Sequence, residues 1–382
     1  MRKGDFVSTR AGKVLHTPQG YDAFVPAPLP PKLNLDWDLS RAIADAERAL
    51  GNLSGIGSTL PNPHLLIHPL MRKEAVLSSR IEGTQASLSD LFLFEAAGTP
   101  ERESSDVREV SNYVVALQSG LARLEQTAVS LRFMRELHAI LMRGARGDEV
   151  TPGEFRTSQN WIGHAGARLD EAIYVPPPVP EMHGCLDRFE HFLHEPRTLP
   201  FVVWLAVVHY QFEAIHPFRD GNGRIGRLLL VLLMCVHDVL CQPLLYLSAY
   251  FEKRRSEYYD GLLAVSQRGA WEPWIRFFLR AVEEQSQAAI NTATSLNALR
   301  DEYRKRFHAA RASALLLRTV DEMFRSPAIS MPLLAKELDV TYRSAQQIIT
   351  KLIDAGMLKE VTGRARNRIY IAPRIVEIID AP

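Results

Sequence analysis

The chain is poor in cysteine, in net charge and in long apolar runs, and each shortage excludes something. Three cysteines in 382 residues, Cys185, Cys235 and Cys241, are too few and too irregularly spaced for a disulfide framework or a zinc site. That pattern fits a reducing compartment, with all three read as small core residues. Lysine and arginine total 45 against 44 aspartates and glutamates, a net charge of +1. This balance excludes a chain-wide electrostatic role on nucleic acid or anionic membrane, so any basic surface must be local. No stretch offers the roughly 18 consecutive apolar residues of a membrane span. The opening, MRKGDFVSTRAGKVLH, lacks the apolar run and cleavage site of a signal peptide. The expected address is therefore the cytoplasm, with no membrane partner. Repeats and low-complexity segments are also missing. What the chain does have is 46% hydrophobic residues, enough for a substantial core spread over two or three domains.

Along the chain, residues 20–35 (GYDAFVPAPLPPKLNL) are proline-rich and predict an extended run over a surface. Apolar residues then recur at helical spacing in DLSRAIADAERALGNL, NPHLLIHPLMRKEAVLSSRIEGT, SDVREVSNYVVALQSGLARLE and SLRFMRELHAILMRG. Strand signals are confined to residues 153–178, where two runs rich in Trp, Ile, Tyr and Val flank a polar loop and predict a hairpin or flap. Two strongly apolar segments, FVVWLAVVHYQFEAI and RIGRLLLVLLMCVHDVL, predict buried helices on either side of HPFRDGNGRIGR, residues 216–227. A polar connecting helix is expected near 280–312.

The turn between those buried helices carries the chemistry. Gly221, Asn222 and Gly223 let backbone N–H groups converge at the positive end of a helix, which makes an anion nest. Arg224 and Arg227, three apart on the first turns, present guanidinium forks suited to phosphate oxygens. Basic residues at a helix N-terminus oppose the macrodipole, a penalty that a bound polyanion reverses. Asp220 at the mouth would repel a phosphate unless Mg²⁺ stood between them. His216, with an unperturbed pKa near 6.5, is placed to take a proton from an attacking hydroxyl. These parts describe metal-assisted transfer from a nucleotide.

His216, Phe218, Asp220, Gly221, Asn222, Gly223, Arg224 and Arg227 match every fixed position of H-x-F-x-D/E-G-N-G-R-x-x-R, and the chain thereby resembles the Fic family. The resemblance implies a mainly α protein: a Fic-type helical core with a β-hairpin flap, and an enzyme moving AMP from ATP to a protein Ser, Thr or Tyr hydroxyl. In that scheme His216 is the catalytic base and Asp220 holds Mg²⁺. Gly221, Asn222 and Gly223 cradle phosphates, Arg224 and Arg227 neutralise them, and Phe218 fixes the turn. Residues 159–174, with Ile162, Gly163 and Tyr174, would form the flap that holds the target by strand addition. The segment SEYYDGL resembles the family's adenine contact, giving Tyr258 and Tyr259, although adjacent helical positions cannot face one ligand equally and one of them is expected in the core. Arg254 stands where an asparagine is more often expected.

Residues 78–83, SSRIEG, fit the family's inhibitory pattern S/T-x-x-x-E-G/N through Ser78, Glu82 and Gly83. A carboxylate set against Arg227 would occupy the arginine meant for the γ-phosphate, an autoinhibitory brake. Near the C-terminus, LLAKELDVTYRSAQQIITKLIDAGMLKEVTGRARNRIYIAP resembles a winged helix-turn-helix, with Thr341 as N-cap, Gly356 as stop and a two-stranded wing. Its residues 341–370 hold six basic side chains (Arg343, Lys351, Lys359, Arg364, Arg366, Arg368) and two acids, so DNA is one expected partner, with dimerisation or target docking as the alternative roles. The domains expected are 1–105 with the inhibitory helix, 106–300 as the Fic domain and 313–382 as the winged helix. Labelling of the chain itself and a homodimer also enter the expectation. Two rival functions stand beside transfer of AMP: a DNA-binding regulator whose site only senses ATP, and a Fic enzyme that moves UMP, phosphate or phosphocholine, or removes AMP.

Overall fold

The structure, a computed structural model, describes residues 1–59, 63–97, 105–144, 151–164, 166–309 and 314–381. Within them it is mostly helical, as the periodicity predicts. Two strands, β1 (Gly12–His16) and β2 (Asp22–Pro26), come first. Five helices follow: α1 (Trp37–Thr59), α2 (His64–Ile81), α3 (Leu88–Ala97), α4 (Ser105–Arg123) and α5 (Leu131–Leu141). After the flap region come α6 (Val179–His194), α7 (Phe201–Ile215), α8 (Asn222–Val236), α9 (Ser248–Lys253), α10 (Arg255–Arg268) and α11 (Trp271–Ala309). The C-terminal module is α12 (Ala314–Arg325), β3 (Ala328–Ser330), α13 (Met331–Leu338), α14 (Tyr342–Asp354), β4 (Lys359–Glu360), β5 (Ile369–Ile371) and α15 (Pro373–Asp380).

The centre belongs to α7 and α8. Every residue of α7 from Val202 to Phe212 is buried, as is every residue of α8 from Arg224 to Met234, as helices so rich in apolar residues require, with His209, Gln211, Arg224 and Arg227 as the buried polar exceptions. They pack on each other; α6, α10 and α11 cover α7, while α2, α4 and α5 cover α8. The loop that joins the two central helices is thus held from several sides.

Five features depart from the sequence reading. Of the three cysteines expected in the core only Cys185 is buried there; Cys235 is half-buried near the end of α8 and Cys241 is exposed in the loop beyond it. The segment around 22–26 is not merely extended: β1 and β2 pair antiparallel, Gly12 opposite Pro26 and His16 opposite Asp22. Phe24 of β2 is fully buried among Phe6 and Tyr174, its ring centroids 5.5 and 5.9 Å from theirs. The flap, of which residue 165 lies outside the described residues, closes through a single β-bridge, Ile162 to Tyr174, and not through two full strands. Polar and glycine residues between 163 and 171 leave too little alternation to extend the ladder. The winged module has a third strand, β3, in a sheet of order β3-β5-β4. Finally, α11 begins at Trp271 and passes unbroken through residue 300, where the Fic domain was expected to end. The expected start of the last domain, 313, lies outside the described residues.

Candidate active site

Helix α7 stops because His216 takes a left-handed conformation, φ 49° and ψ 60°, and the following Pro217 disfavours a helical residue before it. The chain then makes a short turn whose carbonyls are tied from outside. The Arg156 backbone N–H donates to Pro217 O, and its Nε donates to His216 O at 3.0 Å. Asn160 Nδ2 donates to Phe218 O at 2.9 Å. His138 Nε2 lies 3.0 Å from Asp220 O, while its Nδ1 accepts from Gly153 N–H at 2.9 Å. The proton on His138 is therefore at Nε2. Its ring stacks on Phe218 at 3.9 Å. Asn222, buried at the start of α8, uses its amide on the turn itself, accepting from Phe218 N–H and donating to Phe218 O, both at 2.8 Å.

His216 Nδ1 sits 3.3 Å from the Glu213 carbonyl. A carbonyl only accepts, so Nδ1 carries the proton and Nε2 keeps its lone pair. Burial, with the nearby Arg156 charge, pulls the imidazole down to about 4. It is neutral at physiological pH and poised to accept a proton.

Beyond the turn, Gly221 has φ 78°, and its N–H donates to Asp220 Oδ1 at 2.6 Å. The Asp220 side chain is 57% exposed, its Oδ2 3.5 Å from Arg224. At Gly223 a Cβ would stand 2.2 Å from Glu82 Oε1 and 2.8 Å from Arg227 Nη1. A side chain there would have to push one of them aside. Arg224, almost wholly buried, pairs with Glu109 at 3.0 Å. Arg227 is 1% exposed: its Nε donates to Ser78 Oγ and its Nη2 to Ser78 O, each at 2.9 Å, and Nη2 also meets Glu82 Oε1 at 2.6 Å. Burial pushes the Glu82 carboxyl up, but Arg227 outweighs it and holds the group below the ordinary glutamate value. Arg227 Nη1 is buried with no hydrogen-bond partner among the described residues.

Glu82 reaches this place as the C-cap of α2, with Gly83 turning the chain away at φ 104°. Ser78, one turn earlier, faces the same arginine. The two tyrosines separate as adjacent helical positions must. Tyr258 is 1% exposed, its hydroxyl 2.8 Å from His209 Nε2, so it belongs to the core. Tyr259 is 39% exposed, with its hydroxyl 3.4 Å from Ile81 O, beside the end of the helix that carries Glu82. In the flap, Ile162 is exposed together with Trp161 and Ile173, while Tyr174 is buried and donates to Ala214 O at 2.7 Å. Gly163 lies next to Ala167, whose Cβ a side chain would meet at 2.9 Å.

Several contributors were not singled out in the sequence. Arg156 and His138 hold the loop, Glu109 pairs with Arg224, and Glu213 places a carboxyl where a Cβ of Gly226 would be, 2.3 Å from Oε1. That carboxyl is pushed up to about 8 by burial, against the pull of Arg227. A local signal existed for Glu213, one turn before His216 on an otherwise apolar helix. For Glu109 and His138 there was none, since both come from helices remote in sequence.

An exposed single carboxylate at the mouth of a glycine cradle, with an orphaned guanidinium N–H behind it, suits a magnesium-bound polyphosphate better than a metal caged by protein alone. Among the described residues no group of three or more His, Cys, Asp or Glu is gathered to hold a metal.

Comparison with known proteins places this geometry. The Fic/DOC family N-terminal profile matches residues 40–122, the Fic/DOC family profile matches 128–234, and an HTH DNA binding domain profile matches 316–370. The first of these runs across the division expected at 105. Protein adenylyltransferase Fic of Drosophila grimshawi is 29% identical over 165 residues, 42% of this chain and 30% of that protein. The Aedes aegypti protein of the same name is 28% identical over 213 residues, 53% of this chain and 38% of that protein. The chain thus spans about a third of the length of these curated relatives. Among solved structures, a Fic family protein from Desulfovibrio desulfuricans aligns with TM-score 0.58 at 17% identity, covering 90% of this chain and 98% of that one. Fic-1 from C. elegans aligns with TM-score 0.52 at 22% identity, covering 67% and 74%. With the motif of the α7–α8 loop, both Fic profiles and the shared fold in agreement, this chain belongs to the Fic/DOC family and ends in a helix-turn-helix domain.

Proposed function

We propose that the protein is an adenylyltransferase that moves AMP from ATP onto a protein hydroxyl and is held in check by Glu82. The observation that carries this reading is the set made by His216, the Gly221–Gly223 turn and Arg227, with a carboxylate already seated where a phosphate would go. His216 Nε2 takes the proton of the incoming Ser, Thr or Tyr hydroxyl. The freed oxygen bonds to the α-phosphorus while the bond to the pyrophosphate oxygen breaks, and pyrophosphate leaves. The N-terminal N–H groups of α8 and the guanidinium groups of Arg224 and Arg227 bind the phosphates and carry the charge that develops on them. Asp220 would hold Mg²⁺, which when bound neutralises phosphate charge. Tyr259, at the rim, is the tyrosine positioned for the base, and the exposed edge at Ile162 offers backbone to a target strand. Glu82 holds the Arg227 fork that the γ-phosphate needs, so nucleotide cannot settle productively until that carboxylate leaves.

The test is incorporation of label from α-labelled ATP with magnesium. Glu82→Gly is expected to raise labelling, including of the chain itself. His216→Ala in that background is expected to lower it by about a hundredfold or more, the range for loss of a general base. Undiminished labelling without His216 would end the assignment.

A second reading concerns the C-terminal module. The exposed Tyr342 opens a helix whose Arg343 and Lys351 are also exposed, as are Arg364, Arg366 and Arg368 of the wing. That surface suits DNA phosphates, and salt-dependent retention of duplex DNA by the intact chain would establish it.

A further inference from the structure

Ser78 and Glu82 have a third partner on their face of α2. Glu74, Ser78 and Glu82 are four apart, a spacing that stacks side chains along one stripe of a helix. Glu74 is 2% exposed. Its Oε1 accepts from Ser248 Oγ at 2.6 Å and from Tyr113 Oη at 3.1 Å, and its Oε2 accepts from Ser248 N–H at 3.3 Å. Tyr113 belongs to α4 and Ser248 opens α9, so one carboxylate fastens α2 to two separate elements.

Most of the remaining buried packing of α2 is apolar, through Leu66, Ile67, Leu70, Met71, Ala75 and Val76, with Arg72 pairing with Glu95 of α3 at 2.6 Å and Lys73 Nζ donating to Ala381 O at 2.6 Å, both on residues before Glu74 and away from Arg227. Apolar packing is not directional, and at the Ser78–Glu82 end it tolerates a small rotation or slide. A buried carboxylate does not, because a shift of one residue would strand it without partners. Fixing register is the best-attested use of a buried polar group.

We propose that Glu74 is the positioning residue of the brake: it sets the rotation and register of α2 so that Ser78 and Glu82 meet Arg227. This rests on the reading of Glu82 as inhibitory. On this proposal Glu74 makes no contact with Arg227 itself and acts by placing Ser78 and Glu82.

The experiment measures self-labelling from α-labelled ATP by the full chain, with melting temperature recorded for each variant. Glu82→Gly is expected to raise labelling, and Glu74→Ala to raise it by about fivefold or more, the lower end of ordinary coupling between sites. Glu74→Gln keeps an oxygen for the Ser248 and Tyr113 hydroxyls and should stay within about twofold of the unaltered chain. The double variant Glu74→Ala/Glu82→Gly should match Glu82→Gly alone, because both changes remove the same contact. Should Glu74→Ala fail to fold, Ser248→Ala, which takes away the shortest bond to Glu74, is expected to give the same gain. If Glu82→Gly gains and Glu74→Ala or Ser248→Ala does not, the positioning role is overturned. A double variant well below Glu82→Gly would also overturn it, since that is the mark of a merely structural carboxylate. If Glu82→Gly itself gains nothing, the brake falls first and the positioning role goes with it.

Discussion

In the function proposed above, the His216 imidazole works as a base only while unprotonated, so the pH at which it gains a proton would set the acid limit of transfer. With its pKa held at about 4, the rate should persist well below the value near 6.5 of an unperturbed histidine. Glu82 favours the protonated form, so deleting it moves this limit no higher. In Glu82→Gly, initial rates of labelling measured between about pH 4.5 and 8 should lose half their value only below about pH 5. A half-point near 6.5 would mean that the ring opens to water before it reacts. At Gly223, the space is already claimed by Glu82 and Arg227. Gly223→Ala should displace the carboxylate and fill the phosphate cradle together. Labelling should therefore not rise although the proposed brake contact is lost, and urea unfolding should show a cost of about 1–3 kcal/mol, the usual penalty of overpacking.

Among the elements, those with strong local instructions were legible and those made by distant partners were not. The α7–α8 pair announces itself by two apolar runs around a glycine turn, and Thr341 is readable as a cap because its Oγ1 accepts from Ser344 N–H, 3.2 Å away on the next turn. Thr341→Ala should therefore cost about 1 kcal/mol, seen as an earlier urea transition of the C-terminal module. β3 consists of Ala328, Ile329 and Ser330 and pairs with residues some forty positions on, so three residues carry no periodicity of their own. β1 and β2 are likewise secured from afar, Phe24 N–H donating to Val175 O at 2.8 Å. The same division runs through the site. His216, Asp220 and the two arginines lie in one twelve-residue stretch, and Ser78 and Glu82 in another, so their types and spacings can be read. Glu109 and His138 reach the site through tertiary packing, where sequence spacing is silent; Glu74 shares the four-residue spacing of Ser78 and Glu82, but its partners Tyr113 and Ser248 come from remote parts of the chain.

On the scale of the whole molecule, buried ionisable groups set the dependence of stability on pH. His138, His209 and His216 have pKa values of about 4, about 3 and about 4 in the fold. Unfolded, each would titrate near 6.5. On acidification the unfolded chain therefore binds protons first, and the stability these groups confer, complete above 6.5, drains away as pH falls towards 4. Glu213, raised to about 8, and Glu74, also raised, act with the opposite sign: they favour the fold at low pH and lose that contribution as pH rises. The three imidazoles outnumber the two carboxyls between about pH 6.5 and 4.5. Melting temperature by calorimetry should therefore peak near pH 6.5 and fall as pH drops to 4.5.

Helix α11 spans 39 residues, a rod of about 58 Å at the rise of an α-helix. One end is bolted onto the central helix α7, where Trp274 Nε1 donates to Ala206 O at 2.9 Å. The other grips the C-terminal module, Arg300 and Arg304 both holding Asp321, and Glu302 holding Arg374. The two halves are therefore not beads on a string. The far module cannot swivel on that shaft without parting the ion pairs at Asp321 and Arg374.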